Sequence, residues 1–261
     1  MEWLILIAVV LVGIPAAAWL MQDSLLFFPQ PLGATTHLQA NAAPLEIAPD
    51  GIRLRGWIVR GTADPAPTVL YFGGNAEEIS WTLSNRRWPS KWTVIGLNYR
   101  GYGASEGKPG QLALQADALA LYDAVALRDD VDPRRIVVFG RSLGTAIASH
   151  VAAERSAVAA VVLVSPYDSM IAIGKLHYPW LPVSLLLKHR FEAAADAALC
   201  RAPLLAIVGE SDSIIPPARS RALYDAWAGS KSWLVISGAG HNDLAEREAF
   251  WQAIARFLAE R

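Results

Sequence analysis

The chain has 261 residues, 53% of them hydrophobic, with a formal net charge of −1. That length holds one large domain or two small ones, and the charge balance leaves no electrostatic footprint for nucleic acid. Cys200 is the only cysteine, which excludes an intrachain disulfide and a zinc ribbon.

Part of the apolar excess sits at one end. Trp3 to Met21 is 19 consecutive residues without a charge, about the length a helix needs to cross a bilayer. The segment reads as a single-pass N-terminal membrane anchor over residues 3–21, followed by a globular domain over residues 22–261. Trp3 and Trp19 lie near its two ends, where amphipathic rings favour the headgroup level. Two rivals stand beside that reading. A cleaved leader would use Ala16-Ala17-Ala18 as its small-residue site, but no Lys or Arg precedes the apolar run. A buried core helix is the other, and the unbroken length speaks against it. The first basic residue is Arg53, too far along to assign the anchor a side.

Residues 22–50 are rich in Pro, Ala and Thr and predict an irregular lead-in. Gly51 to Gly61 then sets Ile52, Leu54, Trp57 and Val59 among arginines, which predicts an early, partly exposed antiparallel strand. Short apolar, β-rich runs recur at 68–72, 93–99, 135–140, 160–165, 203–209 and 232–237, and predict strands buried on both faces. Between them, Gln111 to Arg128 places Leu112, Leu119, Tyr122 and Ala126 at helical spacing, and Asp243 to Arg261 does so with Phe250, Ile254, Phe257 and Leu258. The alternation predicts an α/β fold with a mostly parallel sheet and helices on both faces. Such a sheet carries its chemistry in loops at the carboxyl ends of the strands, so every catalytic candidate should follow a strand.

Ser142 meets that requirement. It sits in VVFGRSLGTAIASH, where a β-branched run ends in G-x-S-x-G and a small-residue helix begins at once. The spacing fits a sharp strand-to-helix bend that exposes a nucleophilic hydroxyl, with Gly140 and Gly144 placed where a side chain would clash. A serine that merely caps the helix would explain the hydroxyl but not both glycines. A serine nucleophile needs a base. Of the five histidines, only His241, in SWLVISGAGHND, follows a strand; His37 lies in the lead-in, His150 on the helix after Ser142, and His177 and His189 in an insertion. The base in turn needs a carboxylate to hold its tautomer. Asp212, in VGESDSIIPP, follows a strand and completes the order Ser, Asp, His; Asp168 is its competitor, and Asp243 stands too close to the histidine in sequence. The oxyanion donors are assigned to the backbone N–H groups of Leu143 and of Asn75, the latter in the loop YFGGNAEE, where a glycine turn with Asn75 capping the following helix is the lesser alternative.

The motifs FGGNAE, LNYRGYGASEGKP, GRSLG, GESDSIIPP and GAGHND, in this order, resemble the α/β-hydrolase superfamily, and closely its membrane-anchored Bem46 and ABHD13/17-type serine hydrolases. The resemblance runs from about Gln22 to the C-terminus and includes an N-terminal anchor. It departs at Gly73, which stands where the family often has a histidine. It implies the α/β-hydrolase fold and a cap insertion at about 167–199 lying over Ser142. Tyr178, Trp180 and Leu181, with Leu185 to Leu187, would then form an apolar ceiling for substrate. The LNYRGYGASEGKP loop reads as structural, with Arg100 and Glu106 available to one another as an ion pair.

The expected activity is hydrolysis of carboxylic esters or thioesters of apolar acyl groups, on a small molecule, a membrane lipid or an acylated protein. No metal or organic cofactor is implied, because covalent acyl transfer needs none. A serine peptidase or acyltransferase would use the same three side chains with a different acceptor. A membrane-tethered binding protein without activity is the remaining class.

Overall fold

A computed structural model describes residues 3, 12–33 and 38–261 of the chain. The elements in chain order are helix α1 (Ile14–Leu26), strands β1 (Ala42–Ile47), β2 (Leu54–Val59) and β3 (Ala66–Phe72), α2 (Ser80–Leu83), β4 (Thr93–Leu97), α3 (Gln111–Ala126), β5 (Val131–Arg141), α4 (Leu143–Glu154), β6 (Ala160–Val164), α5 (Met170–His177), α6 (Val183–Leu186), α7 (Ala193–Ala197), β7 (Leu204–Gly209), α8 (Pro217–Ala226), β8 (Lys231–Ile236) and α9 (Glu248–Ala259). The eight strands make one sheet in the order β1-β2-β4-β3-β5-β6-β7-β8. β2 runs antiparallel to β1 and β4, and the pairings from β4 to β8 are parallel.

The six β-branched runs of the sequence become β3 to β8. Runs this apolar are stable only where helices cover both faces, and the core accordingly divides in two. One face of the sheet buries residues of α3, α4, α7 and α8, among them Leu121, Ile147, Ala193 and Leu223. The other buries Leu83 of α2 and Phe250, Trp251 and Ile254 of α9. The strand order reverses direction between β3 and β5. Loops leaving the carboxyl ends of these two strands therefore diverge and leave a crevice between them.

Four expectations need correction. The lead-in contains a strand, β1, whose alternating half-buried pattern pairs it with β2 along its full length. Pro44 weakens the strand signal there, and an edge position is where a sheet accepts proline. β8 is an edge strand with Val235 exposed, so the run at 232–237 is not buried on both faces. In α3 the inward stripe is Leu114, Ala118, Leu121, Tyr122 and Val125, while Leu112 is 80% exposed. The stripe that packs includes alanine and a buried Asp117, so a search for the largest apolar residues misplaces the face. Arg100 and Glu106 do not pair: Arg100 bonds Asp117 on this face at 2.7 and 2.8 Å, and Glu106 pairs with Arg53.

Among the described residues no helix is long and apolar enough to cross a membrane. Residues 4–11 of the expected anchor lie outside the described residues. α1 starts within the apolar run, passes the expected boundary at Met21 and ends at Leu26. It is fastened to the domain by Gln22, whose buried amide donates to the Leu186 carbonyl at 3.1 Å and accepts from the Lys188 N–H at 2.7 Å.

The face of α3 is testable by equilibrium urea unfolding. Leu121→Ala should lower stability by about 3 kcal/mol, as truncation in a filled core does, whereas Leu112→Ala should stay within about 0.5 kcal/mol. Equal losses would mean the helix is turned the other way.

Candidate active site

Ser142 lies at the junction of β5 and α4 with φ 51° and ψ −117°, in the left-handed half of backbone space that side chains disfavour. Packing explains both flanking glycines. A Cβ on Gly140 would stand 2.3 Å from the Gly144 carbonyl oxygen, and one on Gly144 would stand 2.1 Å from that of Phe72. The serine hydroxyl does not cap α4. It points instead to His241, whose Nε2 is 2.9 Å from Ser142 Oγ.

The other imidazole nitrogen, Nδ1, is 2.7 Å from Asp212 Oδ2. The Asp212 carboxylate is enclosed and fully engaged. Oδ2 also accepts the Ser165 hydroxyl at 2.8 Å, and Oδ1 accepts the N–H groups of Ile214 at 3.0 Å and Ile215 at 2.8 Å. Burial opposes the charge, but the hydrogen bonds from His241, Ile215 and Ser165 and the charge of the imidazole outweigh it, and Asp212 is held below its ordinary pKa. An ionised acceptor on Nδ1 fixes the proton there and leaves Nε2 free to take one from Ser142. The residues from three separate strand ends, 99 positions apart between Ser142 and His241, thus form one hydrogen-bonded chain.

Above β3 the loop at 73–79 closes the other side of the crevice. A Cβ on Gly74 would lie 3.6 Å from Ser142 Cβ, which measures how near this backbone comes. The Gly74 N–H is engaged by Glu77 at 2.7 Å, while the N–H groups of Asn75 and Leu143 donate no hydrogen bond among the described residues. The Asn75 side chain does not cap a helix, because α2 begins at Ser80 without a side-chain cap. It binds the end of α1 instead: Nδ2 donates to the Leu26 carbonyl at 2.6 Å, and Oδ1 accepts the Phe28 N–H at 3.0 Å and the Tyr102 hydroxyl at 2.7 Å. Tyr99 donates to the Gly73 carbonyl at 2.8 Å, so the glycine-rich loop after β4 braces this backbone with two phenols.

Sequence reasoning missed a polar network behind the site. Glu77 accepts from the Tyr71 hydroxyl at 2.7 Å and the Thr82 hydroxyl at 2.6 Å and pairs with Arg141 at 3.2 Å; Arg141 also donates to Asn242 Oδ1 at 3.0 Å. Burial works against the Arg141 charge, but Glu77 more than restores it and raises its pKa. Arg141 precedes Ser142 and Asn242 follows His241, so the network joins both loops to the one after β3. Ser165 was missed as well, although it ends the AVVLVS run, at the level of the sheet where every other site residue emerges.

Residues 67–187 match the model of the alpha/beta hydrolase fold family. The chain is 38% identical over 263 residues to the Mycobacterium tuberculosis protein Rv2307c, an alignment covering 98% of this chain and 93% of the relative. It is 30% identical to the alpha/beta hydrolase domain-containing protein WAV2 of Arabidopsis thaliana, over 80% of this chain and 75% of that one. The chain belongs to the α/β-hydrolase fold family. The membrane protein YNL320W of Saccharomyces cerevisiae is 29% identical over 82% of this chain and 78% of its own. Among solved structures, the acetyl xylan esterase of Paenibacillus sp. R4 superposes with a TM-score of 0.71 at 20% identity, over 85% of this chain and 84% of that one, a likeness of fold.

The remaining candidates of this hydrolase-fold chain have other places. Asp168 pairs with Arg219 at 3.1 Å and Asp243 with Arg247 at 2.6 Å. His150 faces Asp196 at 3.3 Å, His177 the Ile214 carbonyl at 2.9 Å and His189 Asp23 at 2.9 Å; His37 lies outside the described residues. Burial, then the nearby Asp196, push the Cys200 thiol up to about 12, so it is no rival nucleophile. Tyr178, Trp180 and Leu181 line a groove against α1; neither Ser142 nor His241 is among its lining residues.

The depressed Asp212 carboxyl gives folding a pH dependence of known sign. Its contribution is present above about pH 4, the unfolded value, and is lost as pH falls through the lower folded value. Urea-unfolding stability of the wild type should therefore fall more steeply below about pH 4 than that of Asp212→Asn. Parallel curves would mean that the carboxylate gains nothing from these bonds.

Proposed function

We propose that this protein is a serine hydrolase that cleaves carboxylic esters or thioesters of apolar acyl groups through an acyl-enzyme. The observation that carries the reading is the chain Asp212–His241–Ser142, at 2.7 and 2.9 Å, set on a strained strand-to-helix bend. Ser142 Oγ attacks the acyl carbon while His241 Nε2 takes its proton, and Asp212 offsets the imidazolium charge. The oxyanion that forms is met by the Leu143 and Asn75 N–H groups, which have no other partner among the described residues. The imidazolium then protonates the leaving alkoxide or thiolate. Water, deprotonated by the same nitrogen, attacks the acyl-enzyme and releases the acid and the free Ser142 hydroxyl. Apart from the substrate and this water, the groups that act are side chains and backbone of this chain.

An N-terminal anchor over residues 3–21 would keep this site at a bilayer surface, and the hydrolase domain would follow it. The 19 uncharged residues support that placement, as does the likeness to a yeast protein named for its membrane association. The apolar cap residues Tyr178, Trp180 and Leu181 favour an acyl group over a charged substrate.

A fluorophosphonate probe tests the nucleophile. Wild type should be labelled, and Ser142→Ala and His241→Ala should not be, with unchanged circular dichroism. Persistent labelling of Ser142→Ala would place the nucleophile elsewhere. Asp212→Asn should lower kcat on p-nitrophenyl esters by roughly 10³- to 10⁴-fold, since the imidazole loses its tautomer. Turnover of peptides but not of esters or thioesters would replace this reading with a peptidase.

A further inference from the structure

Two cavities differ in chemistry, and His241 lines the first of them. One, of about 390 Å³, is lined by Glu77, Arg141, Asn242, His241 and Trp81, so it surrounds a carboxylate and a guanidinium. The other, of about 460 Å³, is the groove between α1 and the cap, with Ala18, Met21 and Leu25 on one wall and Ile173, Trp180 and Leu181 on the other. Among the described residues no Asp, Glu, Lys or Arg lines this second cavity. Its two amide- and imidazole-bearing members are already engaged: Gln22 with the backbone at Leu186 and Lys188, and His177 with the Ile214 carbonyl. Apart from the Tyr178 hydroxyl, the lining side chains offer a polar ligand no free partner, whereas a hydrocarbon chain needs none.

Two residues that line the groove are hydrogen-bonded to the loops of the proposed reaction centre. The Leu26 carbonyl accepts from Asn75, whose N–H is the proposed oxyanion donor. His177 bonds the carbonyl of Ile214, whose N–H binds the Asp212 carboxylate. A chain lying in the groove therefore lies beside the loops that hold the partners of Ser142.

We infer that this groove receives the hydrocarbon chain of a long-chain acyl ester, with α1 as one of its walls, so that the N-terminal segment is a substrate-binding element as well as a tether. The inference rests on Ser142 being the acyl acceptor proposed above. It goes beyond the cap residues by giving half of the acyl site to a helix that precedes the hydrolase sheet. It also explains why α1 is fixed so closely, by the Gln22 amide to the cap and by Asn75 to the loop after β3, for a segment whose outward face keeps Leu20 exposed.

One probe separates the failure of this inference from failure of the hydrolase reading. The full-length chain in phosphatidylcholine nanodiscs is treated with a dodecyl fluorophosphonate carrying a terminal diazirine, irradiated, digested and mapped by mass spectrometry. An adduct on Ser142 with crosslinks in residues 14–26 or 170–187 is the expected result. A Ser142 adduct whose crosslinks fall elsewhere, including on lipid alone, overturns the groove and leaves the hydrolase intact. No Ser142 adduct overturns both. Independently, Ala18→Trp and Ile173→Trp should each lower the ratio of kcat/KM for p-nitrophenyl decanoate to that for the acetate by about tenfold or more, because several methylenes lose their pocket. An unchanged ratio in both variants would remove α1 and the cap as the chain's walls.

Discussion

The hydrogen-bonded chain from Asp212 through His241 to Ser142 requires backbone that a free peptide avoids. Three non-glycine residues at the carboxyl ends of the central strands have positive φ: Ala76 at 56°, Ser142 at 51° and Ser165 at 49°. Each such residue costs roughly 1–3 kcal/mol and persists only where its surroundings leave no alternative. Those surroundings are the fully buried strands β3, β6 and β7 and the buried end of β5, with α4 packed so closely that neither Gly140 nor Gly144 has room for a Cβ. The strain falls on the loops that carry the proposed nucleophile, the oxyanion donor and the hydroxyl that holds Asp212. Core packing and site geometry are one constraint seen from two sides.

A second layer of polar contacts keeps those loops in register. Glu77 and Arg141 form a half-buried ion pair whose remaining valences reach Gly74, Tyr71, Thr82 and Asn242. An isolated buried charge would be costly, but each of these is met by a partner of opposite sign and by further hydrogen bonds. The arrangement couples the residue before Ser142 to the residue after His241. Tyr99 and Tyr102 brace the same loop from β4, which gives the glycine-rich stretch after that strand a physical reason for its two phenols. Asn75 extends the coupling to the N-terminal segment, so α1 and the reaction centre share one set of hydrogen bonds.

Much of this was legible in the sequence where one residue type had one physical explanation. The six β-branched runs, the glycines about Ser142 and the order Ser, Asp, His each answer to local sterics or to a fixed chemical requirement. Reading failed where the signal was split between distant residues. β1 carries a proline and only six residues, and is a strand because β2 lies beside it. The face of α3 was misjudged because alanine and a paired aspartate, rather than Leu112, meet the sheet. Arg100 chose Asp117 over Glu106 because α3 brings that carboxylate to it.

The sequence by itself determined the class of fold, the three side chains of the proposed triad and the apolar character of both the N-terminal run and the cap, because strand propensity, backbone sterics and hydrophobicity are properties of neighbouring residues. Only the tertiary structure decided that Ser165 completes the Asp212 site, that Glu77, Arg141 and Asn242 join three loops, that Asn75 holds the end of α1, and that α1 and the cap together form an open groove. These contacts join residues up to 166 positions apart, as at Gln22 and Lys188. Such partners are selected by how the sheet and its helices pack, which no short window of sequence contains.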